Sequence, residues 1–80
     1  MDLVSLTEYL VKGLVKEPDM VSVRKFEEED SITIEVMVDA SDMGIVIGKG
    51  GNIANAIRTL VQATAYVNKL PKVKINIDSI

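Results

Sequence analysis

The chain has no cysteine, no histidine and no tryptophan, and its 80 residues include only two prolines and three aromatic side chains. Each absence removes a class of protein. No disulfide can brace the core, and at this length only about 60% of the unfolded surface can be buried. A single domain over residues 1–80 is expected, and self-association would relieve its shortage of core. Without thiolate or imidazole there is no soft-metal site, no Cys–His nucleophile pair and no Ser-His-Asp triad. Neither a metal nor a cofactor is expected. Tyr9, Phe26 and Tyr66 are too few for the base-stacking platform of an RRM or an OB-fold. Packing is the expected role of all three. The longest uncharged stretch, residues 59–68, is ten residues, against about 20 for a membrane-spanning helix. The opening MDLVSLTEYL has neither the basic region nor the cleavage site of a signal peptide. Together with the missing cysteine, these features make a cytoplasmic, non-membrane location the expectation.

What charge there is lies unevenly. The net of -3 argues at first against a polyanionic partner. Residues 1–39 carry four basic and ten acidic side chains, a net of -6, whereas residues 40–80 carry five basic and two acidic, a net of +3. An anion site is therefore expected in the second half.

Hydrophobic spacing gives the elements. Leu3, Leu6, Leu10 and Leu14, with Val11 beside them, form one apolar face of a helix over residues 3–16. Asp2, or Ser5 with Glu8, can cap its start, and Pro18 stops it. Val21 and Val23 alternate with polar neighbours in a short strand reaching Phe26, and the acidic run at residues 27–30 reads as a solvated turn. From Ser31, Ile32, Ile34, Val36 and Val38 alternate with Thr33, Glu35 and Met37, a strand with one buried face. Ser41 or Asp42 caps a short helix over residues 43–47, a glycine cluster interrupts, and a long helix covers residues 52–68. After Pro71, Val73, Ile75 and Ile77 alternate in a last strand. The order αββααβ, with three one-faced strands and three helices, predicts an α+β two-layer sandwich: a three-stranded sheet covered on one face by helices.

The glycine cluster Gly48-Lys49-Gly50-Gly51 is the feature that points to chemistry. A Gly-x-x-Gly between two helices makes a tight turn with outward amides, and the helix that follows directs its free N–H groups and positive dipole end at whatever sits there. Phosphate suits that site, and Lys49 adds a point charge. A P-loop is excluded, since three residues rather than four separate Gly44 from Gly48 and Gly50 stands where Ser or Thr should bind Mg²⁺. A dinucleotide fingerprint is excluded by Ile53 in place of its last glycine, and by the lack of a strand leading into the loop.

The segment Val46-Ile47-Gly48-Lys49-Gly50-Gly51 resembles the KH signature, whose loop clamps about four nucleotides of single strand. The element order is similar to the type II KH fold. Ser41-Asp42, Gly44, residues 46–49, Ile53-Ala54 and Ala56-Ile57-Arg58-Thr59 resemble more narrowly the KhpA family of small stand-alone bacterial KH proteins. The resemblance implies single-stranded RNA binding, as a post-transcriptional regulator or RNA chaperone. It also implies self-association and pairing with a larger KH protein of the Jag or KhpB type. The implied RNA-binding residues are Ile47, Gly48, Lys49, Gly50, Gly51, Asn52, Ile53, Lys72 and Lys74. The amides of the four loop residues would hold the backbone, Ile47 and Ile53 would line an apolar groove, and Lys69 and Asn76 would lie nearby. Two positions depart from the family: Ile45 and Asn52 stand where basic residues are common. Their neutrality implies weak affinity and a shallow salt dependence, at about 0.7 in the log–log slope per phosphate for single strands.

On the long helix, apolar residues cover an arc of roughly 200° at 100° per residue. Ile53, Ile57, Val61 and Thr64 suffice for one packing face. Ala56, Leu60, Ala63 and Val67 then form a second stripe, a candidate homodimer interface; the competing reading is that the first helix covers it. Two rival function classes are a protein-interaction scaffold on a degenerate KH fold and an enzyme acting on a phosphorylated substrate. The second lacks any carboxylate pair spaced around the loop.

Overall fold

The computed structural model describes residues 2–80. Its elements are α1 (Leu3–Lys12), β1 (Ser22–Glu27), β2 (Ser31–Val38), α2 (Met43–Ile47), α3 (Asn52–Val67) and β3 (Lys72–Ser79), with 3₁₀ turns at Pro18–Met20, Ala40–Asp42 and Lys49–Gly51. The fold is the α+β sandwich that the alternation and the helix periods imply. β2 is the central strand of the sheet, in the order β1-β2-β3. It pairs antiparallel with β1, Val23 opposite Val36, and parallel with β3, Ile34 opposite Ile75. Ile32, Ile34, Val36 and Val38 are all buried under the helices, while Thr33, Glu35 and Met37 lie half-buried on the outer face. The acidic run closes the β1–β2 turn, where the Glu28 amide donates to the Ser31 carbonyl at 2.9 Å.

The core is one cluster. Val11 of α1, Val46 of α2 and Val61 of α3 meet Ile34, Val36 and Val38 of the sheet with no residual exposure. On α3 the packing face is Ala54, Ile57, Val61 and Ala65, so two alanines take places expected for Ile53 and Thr64, which are half-buried. Small side chains there let the helix lie close to the strands. No helix among the described residues is long and apolar enough to cross a membrane.

α1 departs most from expectation. Asp2 caps it, accepting from the Ser5 amide at 3.0 Å and the Ser5 hydroxyl at 2.8 Å, and these bonds, the backbone one first, hold the Asp2 carboxyl below its usual pKa. The helix ends at Lys12, well before Pro18, and its buried stripe is Leu3, Thr7 and Val11, with Leu6 and Leu10 at the margin and Leu14 exposed. The Thr7 hydroxyl is satisfied inside the core by donating to the Leu3 carbonyl at 2.7 Å.

The segment that follows the helix makes a long-range contact. Asp42 is fully buried, and its carboxylate accepts from the amides of Lys16 and Glu17 at 3.1 Å each. Sequence spacing marked Asp42 as a helix cap; it makes no side-chain bond to the start of α2, and Asp39 caps the preceding turn through the Ser41 amide at 3.1 Å. The Ser41 hydroxyl and amide together lower the Asp39 pKa. Had α1 continued to Lys16, the amides of Lys16 and Glu17 would be turned into helix or solvent instead of toward Asp42. Pro18 opens the 3₁₀ turn that follows rather than closing the helix.

Asp42→Ala leaves both amides, whose bonds are part-buried, without their acceptor. At about 1.5–3 kcal/mol per hydrogen bond to a charged group, the variant should lose about 3–6 kcal/mol, read as a lowered urea midpoint by circular dichroism. A loss below about 1 kcal/mol would mean that water replaces the carboxylate at no cost.

Candidate nucleic-acid interface

The glycine loop sits inside the connection from β2 to β3. α2 has five residues, too few to hold itself, and is anchored by buried Val46. It ends where the Gly48 amide donates to the Gly44 carbonyl at 3.0 Å. Gly48 then takes φ 77 and ψ 175, a region closed to residues with a side chain. A Cβ there would collide with the Asn52 side-chain oxygen and with Cγ1 of Ile53, so the start of α3 packs directly on the Gly48 backbone. Gly50 is left-handed, at φ 62 and ψ 18, but a Cβ on it would meet nothing within 4 Å.

This geometry sorts the loop amides. Gly48 donates to Gly44, Gly51 donates to Gly48 at 3.2 Å, and Asn52 donates to Lys49. The four-amide clamp expected from the sequence therefore narrows, because two of the four are spent inside the loop. The amides of Lys49 and Gly50, on the exposed tip, donate to no backbone carbonyl. Behind the tip, α3 starts at left-handed Gly51 with no side-chain cap and no acid in its first turn. Its positive end is left for an external anion. Ile47 and Ile53 flank the tip, each half-buried, and Asn52 is exposed.

The structure brings residues 47–53 into one site and places the two lysines elsewhere. Lys74 alternates with buried Val73 and Ile75 and pairs in register with Thr33, so it lies on the outer face of the sheet. Lys72 starts β3 beside the far end of α3. Asn76 follows Lys74 on the outer face, and Lys69 lies in the turn before β3 at φ 58.

Two residues missed by sequence reading stand between. Arg58 Nε donates to the Ile75 carbonyl at 3.2 Å, its second nitrogen donates to Asn55 Oδ1 at 3.3 Å, and Gln62 Nε2 donates to the Val73 carbonyl at 3.1 Å. β3 is an edge strand, and these side chains of α3 occupy carbonyls on its open side. The four-residue step from Arg58 to Gln62 matches two residues of strand, a signal legible only once the helix is known to lie along that edge.

The aromatics correct another expectation. Tyr66 is 83% exposed, Tyr9 73% and Phe26 47%, so none is a core residue. Tyr66 follows buried Ala65 by one 100° step, which turns it out of the packing face. Ala56, Leu60, Ala63 and Val67 are all exposed, so α1 does not cover the second stripe.

The pattern of the family described as KhpA/KhpB, KH domain, matches residues 4–77. The chain is 50% identical over 64 residues to the RNA-binding protein KhpA of Caldanaerobacter subterraneus, covering 80% of this chain and 85% of the relative. It is 50% identical over 60 residues to that of Clostridium perfringens, covering 75% and 80%. It is 45% identical over 62 residues to that of Borreliella burgdorferi, covering 78% and 76%. Among solved structures it resembles Era in complex with MgGDPNP and a 16S ribosomal RNA segment, with a TM-score of 0.70 at 18% identity, over 98% of this chain and 30% of that one. At that identity the likeness concerns the fold.

The contrast between the glycines gives a stability test. Gly48→Ala should destabilise by at least about 2 kcal/mol, from the closed backbone region plus the collision with Ile53. Gly50→Ala should cost only about 1–2 kcal/mol, the left-handed penalty alone. Thermal melts of the two variants check the order, which reverses if the close approach at Gly48 is relaxed in solution.

Proposed function

Because the chain belongs to the KhpA/KhpB family of KH domains, we propose that it binds single-stranded RNA through residues 47–53, as a cytoplasmic post-transcriptional regulator or RNA chaperone. One observation carries this reading: the exposed tip of the loop holds two unspent amides, on Lys49 and Gly50, directly ahead of an uncapped helix N-terminus. A phosphate placed there accepts both amide hydrogens, faces the positive end of α3 and lies within reach of the Lys49 ammonium. Ile47 and Ile53 offer apolar surface for the adjoining sugar and base. Binding and not catalysis is what these groups supply. With Lys49 the only side-chain cation at the tip, and Ile45 and Asn52 neutral, few phosphates are neutralised, so affinity is modest and falls gently with salt.

Gly50→Asp puts a carboxylate at the phosphate position, and its backbone and free space admit the side chain without refolding, since Asp tolerates the left-handed region. In anisotropy titrations with pooled single-stranded RNA at two salt concentrations, affinity should drop at least about tenfold, the equivalent of one lost charged hydrogen bond. Equal binding by wild type and variant would place the RNA elsewhere.

A second reading, self-association, is favoured by the uncovered stripe. Leu60 is 52% exposed and Val67 76%, and with Ala63 they border a groove of about 270 Å³. We propose that this stripe, including Ala56, pairs with its copy about a two-fold axis, and that it is also the surface offered to a larger KH partner of the Jag or KhpB type. Apolar side chains this open cost solubility in a monomer and gain burial in a dimer. Leu60→Gln should shift the sedimentation mass from dimer to monomer without changing the melting curve measured at low concentration. An unchanged mass would move the interface off α3.

A further inference from the structure

The most exposed aromatic ring of the chain borders a groove at the far end of α3 from the glycine loop. Tyr66, with Gln62, Leu70, Pro71 and Lys72, lines a groove of about 330 Å³ where α3 gives way to β3. Tyr66 continues the row Asn55, Arg58 and Gln62 at three- and four-residue steps, so loop and groove lie at two ends of one helix face. Asn52 and Tyr66 are about 21 Å apart along the axis at 1.5 Å per residue. The groove has a consistent chemistry. Its walls are largely apolar, Lys72 is its only charged lining residue, and no carboxylate lines it. Gln62 is fixed by its bond to the Val73 carbonyl at 3.1 Å, which uses one of its two amide hydrogens and leaves the other, with the amide oxygen, for a ligand.

We propose that this groove holds a nucleobase of the same single-stranded RNA whose backbone the glycine loop clamps. The base stacks on Tyr66, presents its edge to Gln62 and sets a neighbouring phosphate against Lys72. The inference rests on the RNA-binding reading above and extends it. A flat ring with a polar rim and an adjacent anion is the ligand that matches an exposed tyrosine, an anchored amide and a single lysine. The continuous row of polar side chains between loop and groove gives the strand a path along the occupied edge of β3. Stacking tolerates any base, so the groove lengthens the footprint beyond four nucleotides without narrowing sequence preference. It also gives Lys72, remote from the loop, a phosphate of its own.

The experiment compares a labelled tetranucleotide and a labelled decanucleotide of single-stranded RNA on wild type, Gly50→Asp, Tyr66→Ala and Tyr66→Phe. Tyr66→Ala should weaken decanucleotide binding about 5- to 150-fold, the measured range for one base stacked on an aromatic ring, and leave the tetranucleotide within about twofold. Tyr66→Phe should bind the decanucleotide as wild type does, which separates stacking from any fault in folding. In a Tyr9→Phe background Tyr66 is the one tyrosine, and its fluorescence should be quenched by the decanucleotide and not by the tetranucleotide. Unaltered decanucleotide affinity in Tyr66→Ala, equal losses on both oligonucleotides, or equal quenching by both would overturn the groove site, while sensitivity to Gly50→Asp would leave the loop reading standing. If Gly50→Asp binds as wild type does, the loop reading falls and this inference falls with it.

Discussion

The parallel pairing of β2 with β3 is the constraint from which the rest of the structure follows. Two antiparallel strands can be joined by a turn, but parallel neighbours require the chain to travel back along the whole strand before the second can start. Here residues 39–71 make that journey, and they must bury the helix face of the sheet as they go. A single helix is the usual connection between such strands; this chain uses two, with a tight turn between them. The solution is a short helix outward, a glycine turn, and a long helix back. The glycine loop, proposed above as the phosphate site, is thus the turning point of an obligatory crossover, and α3 packs against its first glycine.

Two contacts fix the crossover at its start. Gly48 lets the first turn of α3 rest on bare backbone, which sets the angle between α2 and α3, and the two carboxylate bonds of Asp42 tie the entry to α2 to the segment after α1. The second contact joins positions 25 and 26 residues apart and so closes a loop that includes the β1–β2 hairpin. α1 ends before the two residues whose amides take part in it. A buried carboxylate is costly unless both its oxygens are satisfied, and here two main-chain donors supply that without a cation.

What could be read from the sequence follows from the range over which each signal acts. The alternation in β2 and β3 is local and has one solution, so both strands and their buried faces were legible. The glycine loop was legible because several residue types agreed within eight positions. Asp42 was misread because its neighbours offer a sufficient local role, a helix cap, and only tertiary structure reveals the amides of Lys16 and Glu17. The same holds for Arg58 and Gln62, whose partners are carbonyls of a strand that sequence reading had placed but not oriented against α3. Tyr66 was misread for a different reason: aromatics are commonly buried, and α3 has alanines at the positions where close packing leaves no room for a ring.

α3 has separate faces for the two contacts proposed above, one with RNA and one with another protein. Its core face is Ala54, Ile57, Val61 and Ala65, its strand-edge face is Asn55, Arg58, Gln62 and Tyr66, and its open stripe is Ala56, Leu60, Ala63 and Val67. At 100° per residue the centres of these three faces fall roughly 100–135° apart, so each is a separate third of the helix. A copy or partner chain docked on the open stripe leaves the strand edge and the loop uncovered. On the proposed reading, the wide apolar arc would let one helix make two apolar contacts and still keep a polar face for nucleic acid. Association would also give the complex a second loop with its own Lys49. For a domain with so little positive charge at its tip, this is the most direct way to engage more phosphates without raising the charge of a single chain.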